Sequence, residues 1–99
     1  MNKWQKIDEL YTNHDRLSES DMWTIVDSIR LDDVVEMARF WLYRSRVPGD
    51  IFGQAQSILD WHFRLGILTD KQRRWLVMAM VAYWDCLNLN ARSYLQAVL

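Results

Sequence analysis

An uncharged run of ten residues, 75–84, constrains the fold of this chain more than any other stretch. Placed on a helix, the sequence WLVMAMVAYW has no polar face, so the helix must be enclosed by protein or by lipid. A helix that crosses a bilayer needs about 20 apolar residues, and Arg73, Arg74 and Asp85 bound this run closely. The sequence therefore predicts a central helix, at about 70–87, that packs against the rest of the protein on several sides.

The remaining pattern is that of a small helical protein. A chain of 99 residues with one proline and three glycines has few turn residues and is long enough for a single domain, 1–99. We expect an all-α fold, a compact bundle of five to six short helices around the central helix. Apolar residues at helical spacing indicate helices at about 3–13, 19–30, 34–46, 51–65 and 70–87, and a short sixth helix carrying Ala91, Tyr94, Leu95 and Val98.

Residues typical of helix ends mark the boundaries. Ser18, Asp33 (with Asp32 as an alternative) and Asp50 are expected to be N-caps. The sequence TDKQ, which begins at Thr69, matches a capping box. Gly66 is placed to end the fourth helix in the left-handed conformation. The fourth and fifth helices should therefore form a helical hairpin with a tight turn at 66–68.

The sequence of this hairpin contains SIL at 57–59 and GILTDKQRRWL at 66–76. This pattern, S-[IL]-L followed by G-x-L-[ST]-x-K-Q-x-x-W-[LV], resembles a helical hairpin of small phage- and plasmid-encoded proteins. The resemblance covers about a fifth of the chain. It implies an accessory protein of a mobile element, and it transfers no activity and no functional residue.

No residues are spaced for catalysis or metal binding. His14 and His62 have no second histidine or cysteine at metal-ligand spacing. Cys86 has no cationic neighbour that would activate its thiol, and the three glycines form no phosphate-binding loop. We therefore expect a protein that is not an enzyme and that uses no cofactor and no metal ion.

The sequence also bears on location. A single cysteine excludes an internal disulfide, which is compatible with a reducing compartment. The first ten residues have no apolar core of a signal peptide, and no segment is long enough to cross a bilayer. We expect a cytoplasmic protein without membrane contact, in the host cytoplasm if a phage encodes it.

Charge is distributed unevenly along the chain. Residues 1–36 carry four basic and nine acidic side chains, a net charge of −5, and residues 37–99 carry eight basic and four acidic side chains, a net charge of +4. The two halves either complement each other within the fold, face solvent, or present a partner surface.

Four cations, Arg64, Lys71, Arg73 and Arg74, lie around the hairpin, close to Trp61. The last three are near the positive end of the fifth helix dipole, which is unfavourable for them within that helix. They serve either as partners of Asp60, Asp70 or the acidic half, or as contacts for an acidic protein or a nucleic acid.

Any single one of the six tryptophans is more readily explained as part of the core, but all six are not expected to be buried there, and tryptophan is enriched at binding hot spots. We expect a non-catalytic protein-binding module, an inhibitor from a phage or mobile element that occludes a host nuclease or defence complex of the CRISPR type. The alternatives are a nucleic-acid-binding accessory protein that uses the basic hairpin at 64–74, and a structural homodimer. The expected contact residues are apolar side chains outside the core stripes and nearby cations, namely Trp23, Phe40, Arg44, Arg46, Trp61, Arg64, Lys71, Arg73 and Arg74.

Overall fold

The computed structural model describes residues 3–84. Within this range the chain forms five helices, which confirms the prediction of an all-α bundle. The predicted sixth helix and Cys86 lie outside the described residues. The helices are α1 (Lys3–Asn13), α2 (Glu19–Asp27), α3 (Leu31–Arg44), α4 (Gly49–Leu65) and α5 (Asp70–Ala82).

Helix α5 is the central element, as its uncharged sequence predicts. It contacts each of the other four helices. Successive residues of a helix point about 100° apart, so its consecutive buried residues face several directions at once. These buried residues are Leu76, Val77, Ala79, Met80 and Val81.

Local sequence signals determine the hairpin. The Thr69 hydroxyl accepts from the Gln72 amide at 3.1 Å, and the Gln72 side chain accepts from the Thr69 amide at 2.9 Å, which completes the predicted capping box. Gly66 has a φ of 74°, and its N–H donates to the His62 carbonyl at 2.7 Å. Ser18 also caps α2 as predicted, accepting from the Asp21 amide at 3.1 Å.

Several predicted helix boundaries are wrong, namely the end of α2, both ends of α3, the start of α4 and the end of α5. Helix α3 begins at Leu31, and its N-cap is Arg30, which makes no side-chain capping bond. Leu31 is half-buried against the core, so packing extends the helix by one turn. The expected caps Asp32 and Asp33 instead lie in the first turn, where the helix dipole still favours a carboxylate. Helix α2 correspondingly ends at Asp27.

Helix α4 begins at Gly49, with Pro48 at the N-cap and Asp50 within the first turn. Asp50 is therefore not the cap that we predicted. The fixed φ of proline already suits the residue before a helix, so the helix begins without a side-chain cap. The break at Val47 and Pro48 is as expected.

Helix α5 ends at Ala82, five residues before the predicted end. Beyond it, the buried Trp84 donates from Nε1 to the Asp8 carboxylate at 3.1 Å. Its ring lies 5.7 Å from that of Trp4. Asp8 and Trp4 both belong to α1. Helix α5 therefore ends next to a tertiary contact with α1, at a position where the sequence has no glycine, proline or other residue typical of a helix end.

Candidate functional site

The two arginines at the start of α5 contact the end of α2. Arg74 donates from Nε to Asp27 Oδ1 at 3.1 Å and from Nη2 to Oδ2 at 2.6 Å. Arg73 donates from Nη2 to the Asp27 carbonyl at 3.2 Å and also to the Ile29 carbonyl. Of the alternatives for this cluster, the structure gives Arg73 and Arg74 partners in the acidic half of the chain.

The helix dipoles explain this arrangement. The last turn of α2 contains no basic residue, although its free carbonyls carry partial negative charge and attract cations. Arg73 and Arg74, unfavourably placed at the start of their own helix, supply that charge from α5. Hydrogen bonding by Arg74 lowers the pKa of Asp27 below its ordinary value, and the same bonds raise the pKa of Arg74.

Two aromatic residues of the predicted contact set are engaged within the fold. The guanidinium of Arg74 lies 4.8 Å above the ring of Trp23, a cation–π arrangement. Trp23 also donates from Nε1 to Glu19 at 3.4 Å and is half-buried.

Phe40 is held on α3 between two neighbours. It meets Trp4 of α1 in a T-shaped contact with 5.6 Å between ring centroids. Arg44 lies 5.4 Å from the centroid of the same ring. Phe40 therefore links α1 and α3, while the side chain of Arg44 remains exposed.

The other predicted contact residues are exposed. Arg46, Trp61, Arg64 and Lys71 all face solvent. Among residues 3–84, the three cations of this group form no ion pair. These four side chains remain available to a partner.

Exposed apolar surface is concentrated in one part of the chain. In the described range, the exposed large hydrophobic residues all lie between positions 43 and 67. Tyr43 and Phe63 are 83% and 80% exposed, values that a core aromatic never has. The full set is Tyr43, Phe52, Trp61, Phe63, Leu65 and Ile67.

Helix α4 carries most of this surface because little of it is covered. It has 17 residues, but only Ala55, Ile58 and Leu59 are buried. It packs mainly against α3 and α5. A helix of this length with so narrow a buried stripe leaves the rest of its surface open to solvent or to a partner.

A groove of about 360 Å³ runs between α3 and α4. We call it the α3–α4 groove. Apolar and aromatic side chains form most of its walls, with Arg39 and Asp60 as the charged members. Its lining residues are Arg39, Leu42 and Tyr43 from α3 and Phe52, Gln56, Leu59, Asp60 and Phe63 from α4.

Sequence reasoning missed Tyr43, Phe52 and Phe63 because it assigned them to the edges of apolar faces. One signal would have identified two of them. Phe52, Gln56, Asp60 and Phe63 lie along one line of the α4 surface, spaced by three or four residues. Two polar residues, Gln56 and Asp60, lie between the aromatic ones on this line, whereas a core stripe is continuously apolar.

Within residues 3–84, no three His, Cys, Asp or Glu side chains are placed to hold a metal ion. None of the described helices is long and apolar enough to cross a membrane. Comparisons with protein-family models, with curated proteins and with solved structures found no match to this chain.

Proposed function

We propose that this protein is a non-catalytic protein-binding module whose contact surface extends from the last turn of α3 through α4 to the turn before α5. One observation carries the proposal. The exposed large apolar residues of the described range are confined to this stretch, and three of them, Tyr43, Phe52 and Phe63, line one groove.

The energetics favour burial of this surface by another protein. Covering an exposed phenylalanine side chain contributes about 1.5–3 kcal/mol, and aromatic residues are enriched in the centres of protein interfaces. Exposed apolar patches on a small protein generally mark an interaction site. Tyr43 and Phe63 are the strongest candidates for such anchors because they are the most exposed of these residues and so have the most apolar area for a partner to bury.

The size of the chain, its aromatic content and the mobile-element context that the hairpin resemblance at 57–59 and 66–76 implies support a more specific role. We propose that the module is an inhibitor encoded by a phage or another mobile element. It would act by occluding a surface of a host nuclease or defence complex, for example of the CRISPR type. Occlusion requires an interface but no catalytic group, which suits a surface of aromatic residues and arginines.

Affinity capture from bacterial lysate, with and without nuclease treatment, tests the proposal. We expect one or a few proteins to be retained in stoichiometric amount after nuclease treatment, and to be lost with the double variant Tyr43→Ser, Phe63→Ser. Arg16→Ser is the control, because it truncates an exposed side chain outside this stretch. Capture that survives the double variant would contradict the assigned surface.

A nucleic-acid-binding accessory protein is the second candidate. The observation that favours it is the set of exposed cations around the same stretch, Arg39, Arg44, Arg46, Arg64 and Lys71, for which residues 3–84 supply no ion-pair partner. This candidate predicts capture that disappears with nuclease and affinity that falls steeply with salt.

A homodimer would bury the same apolar surface. Light scattering over a range of protein concentrations distinguishes it from a monomer. A dimer that Phe63→Ser dissociates would assign the surface to self-association in place of a partner.

A further inference from the structure

We propose that residues 85–99 of this chain cover an apolar pocket between α1, α2 and α5. The pocket is separate from the surface at 43–67, so the inference goes beyond the proposed function. Three observations carry it. They are a face of α5 that the described helices leave open, the apolar lining of a pocket on that face, and the continuation of the chain from the edge of this pocket.

One face of the central helix is incompletely covered. The run 75–84 carries no charge on any side, so a helix formed from it requires apolar neighbours all round. Within the described range, Trp75 and Met78 are only half-buried and Ala82 is exposed. These three residues are spaced i, i+3 and i+7, which places them along one line of the helix surface. Helices α1–α4 therefore leave one face of α5 for a further segment to cover.

A pocket of about 420 Å³ opens on this face. Two methionines form part of its walls, and their flexible side chains adapt to the shape of an inserted group. The described residues that line the pocket are Tyr11, His14, Met22, Met78, Val81 and Ala82. None of these is an acid, a lysine or an arginine, so the pocket suits apolar side chains.

The chain continues from the edge of this pocket. Ala82 lines the pocket, and the described range ends two residues later at Trp84. The indole of Trp84 is held beside α1 by its hydrogen bond to Asp8 at 3.1 Å. Residues 85–99 therefore begin next to α1 and α5. A segment attached at this point has a high effective concentration at the pocket, an advantage that no separate partner has.

The sequence of this segment provides a matching face. Ala91, Tyr94, Leu95 and Val98 recur at i, i+3, i+4 and i+7, the spacing of one apolar face of a helix over about 10 Å. Only two of residues 85–99 are charged, and neither belongs to this set. A short helix is stabilised mainly by packing of its apolar face. The pocket supplies an apolar surface where the segment begins, whereas the described lining of the α3–α4 groove comes from α3 and α4.

Methyl NMR spectroscopy of the full chain tests the inference. The ε-methyl groups of Met22 and Met78 report on the pocket, and the methyl groups of Leu95 and Val98 report on the segment. We expect nuclear Overhauser cross-peaks between the two sets. Their absence would overturn the inference and would leave the pocket open to a separate ligand or partner.

A mixture of isotope-labelled and unlabelled chains identifies which chain supplies the segment. An isotope-filtered spectrum of this mixture separates contacts within one chain from contacts between two chains. We expect cross-peaks within one chain only. Cross-peaks between two chains would overturn the inference, because a second copy would then fill the pocket.

Variants locate the contact. Leu95→Ser should shift the ε-methyl resonances of Met22 and Met78, because it removes a side chain from the proposed face. Gln96→Ser is the control. It truncates the next residue, which lies about 100° further round a helix and away from this face, and it should leave those resonances unchanged. Equal shifts in the two variants, or no shift in either, would overturn the inference.

Circular dichroism checks that both variants are folded, and the wild-type cross-peaks do not depend on the variants. The capture experiment with Tyr43→Ser, Phe63→Ser concerns another surface. Failure of either proposal therefore leaves the other intact.

Discussion

The guanidinium of Arg74 forms a two-point hydrogen bond with the carboxylate of Asp27, at 3.1 Å and 2.6 Å, across 47 residues of sequence. It joins the positive start of α5 to the negative end of α2. Each residue is unfavourably placed with respect to the dipole of its own helix, and each is favourably placed with respect to the other's. The pair therefore explains why a basic residue lies near the start of α5, where the dipole of its own helix disfavours it.

Replacing Arg73 with methionine should destabilise the protein. The Arg73→Met side chain keeps an apolar stem but leaves the Asp27 and Ile29 carbonyls without this donor, which should lower the free energy of unfolding by about 1.5 kcal/mol. Chemical denaturation measures it. Lys71→Met is the matched control, because Lys71 is an exposed cation on the same helix, and it should change stability by no more than about 0.5 kcal/mol. Equal losses of stability in the two variants would show that removing a positive charge from α5 is responsible, and not the loss of the hydrogen bonds to the Asp27 and Ile29 carbonyls.

Acid should weaken the contact between α2 and α5. The hydrogen bonds from Arg74 lower the pKa of Asp27 in the folded protein, so this carboxylate stabilises the fold above the ordinary aspartate pKa of about 3.9. That stabilisation is lost as pH falls through the lower, folded pKa. We expect the difference in unfolding free energy between wild type and Asp27→Asn to be constant near neutral pH and to shrink below about pH 4. A difference that does not change with pH would contradict the role of the ionised pair.

Two glycines should respond to alanine in opposite directions. Gly66 ends α4 with a φ of 74°, and no atom lies within 4 Å of the position that an added methyl group would take, so the cost of Gly66→Ala is backbone strain alone, about 1 kcal/mol. Gly53 lies inside α4 with the same open space around it. Gly53→Ala should raise stability by about 0.5–1 kcal/mol. Thermal unfolding of both variants checks the prediction, and a Gly66→Ala variant as stable as wild type would refute it.

The binding surface should be separable from the core by mutation. Phe63→Ser removes a side chain that is largely exposed, so unfolding free energy should change by no more than about 0.5 kcal/mol. Leu59→Ala, one helical turn away and buried, should cost about 2–3 kcal/mol. Urea denaturation of the two variants is the measurement. A large loss of stability in Phe63→Ser would mean that this ring contributes to the stability of the fold. Loss of binding by the variant would then no longer show that Phe63 contacts the partner.

Local signals predicted the hairpin and the first helix well. The capping box of Thr69 and Gln72 and the left-handed Gly66 depend on atoms within a few residues, so a short sequence contains all the information required. Helix α1 has the predicted bounds, and Trp4, Ile7 and Leu10, the apolar residues at helical spacing, are its buried residues. The start of α3 was mispredicted because Leu31 packs against distant residues that no local window includes.

The exposure of the predicted contact residues could be inferred from the sequence only in part. Four residues of the predicted contact set are exposed, namely Arg46, Trp61, Arg64 and Lys71. The sequence also placed Trp23, Arg73 and Arg74 among the contact residues. In the fold the two arginines bond to the end of α2, and the Trp23 ring lies under the guanidinium of Arg74. Tyr43 and Phe63 were missed because an aromatic residue next to an apolar stripe is equally compatible with the edge of a core and with a bare surface.

The sequence by itself determined the helical class, the central position of the uncharged helix and the turn before it. Helical periodicity and capping depend on residues close together in the sequence. A helix without a polar face has to be enclosed by other segments, whichever segments those are. Only the tertiary structure decided which cations are paired and which aromatic residues are exposed. Both depend on which helix covers which face, and the incomplete covering of α4 by α3 and α5 is a result of packing geometry between segments far apart in sequence.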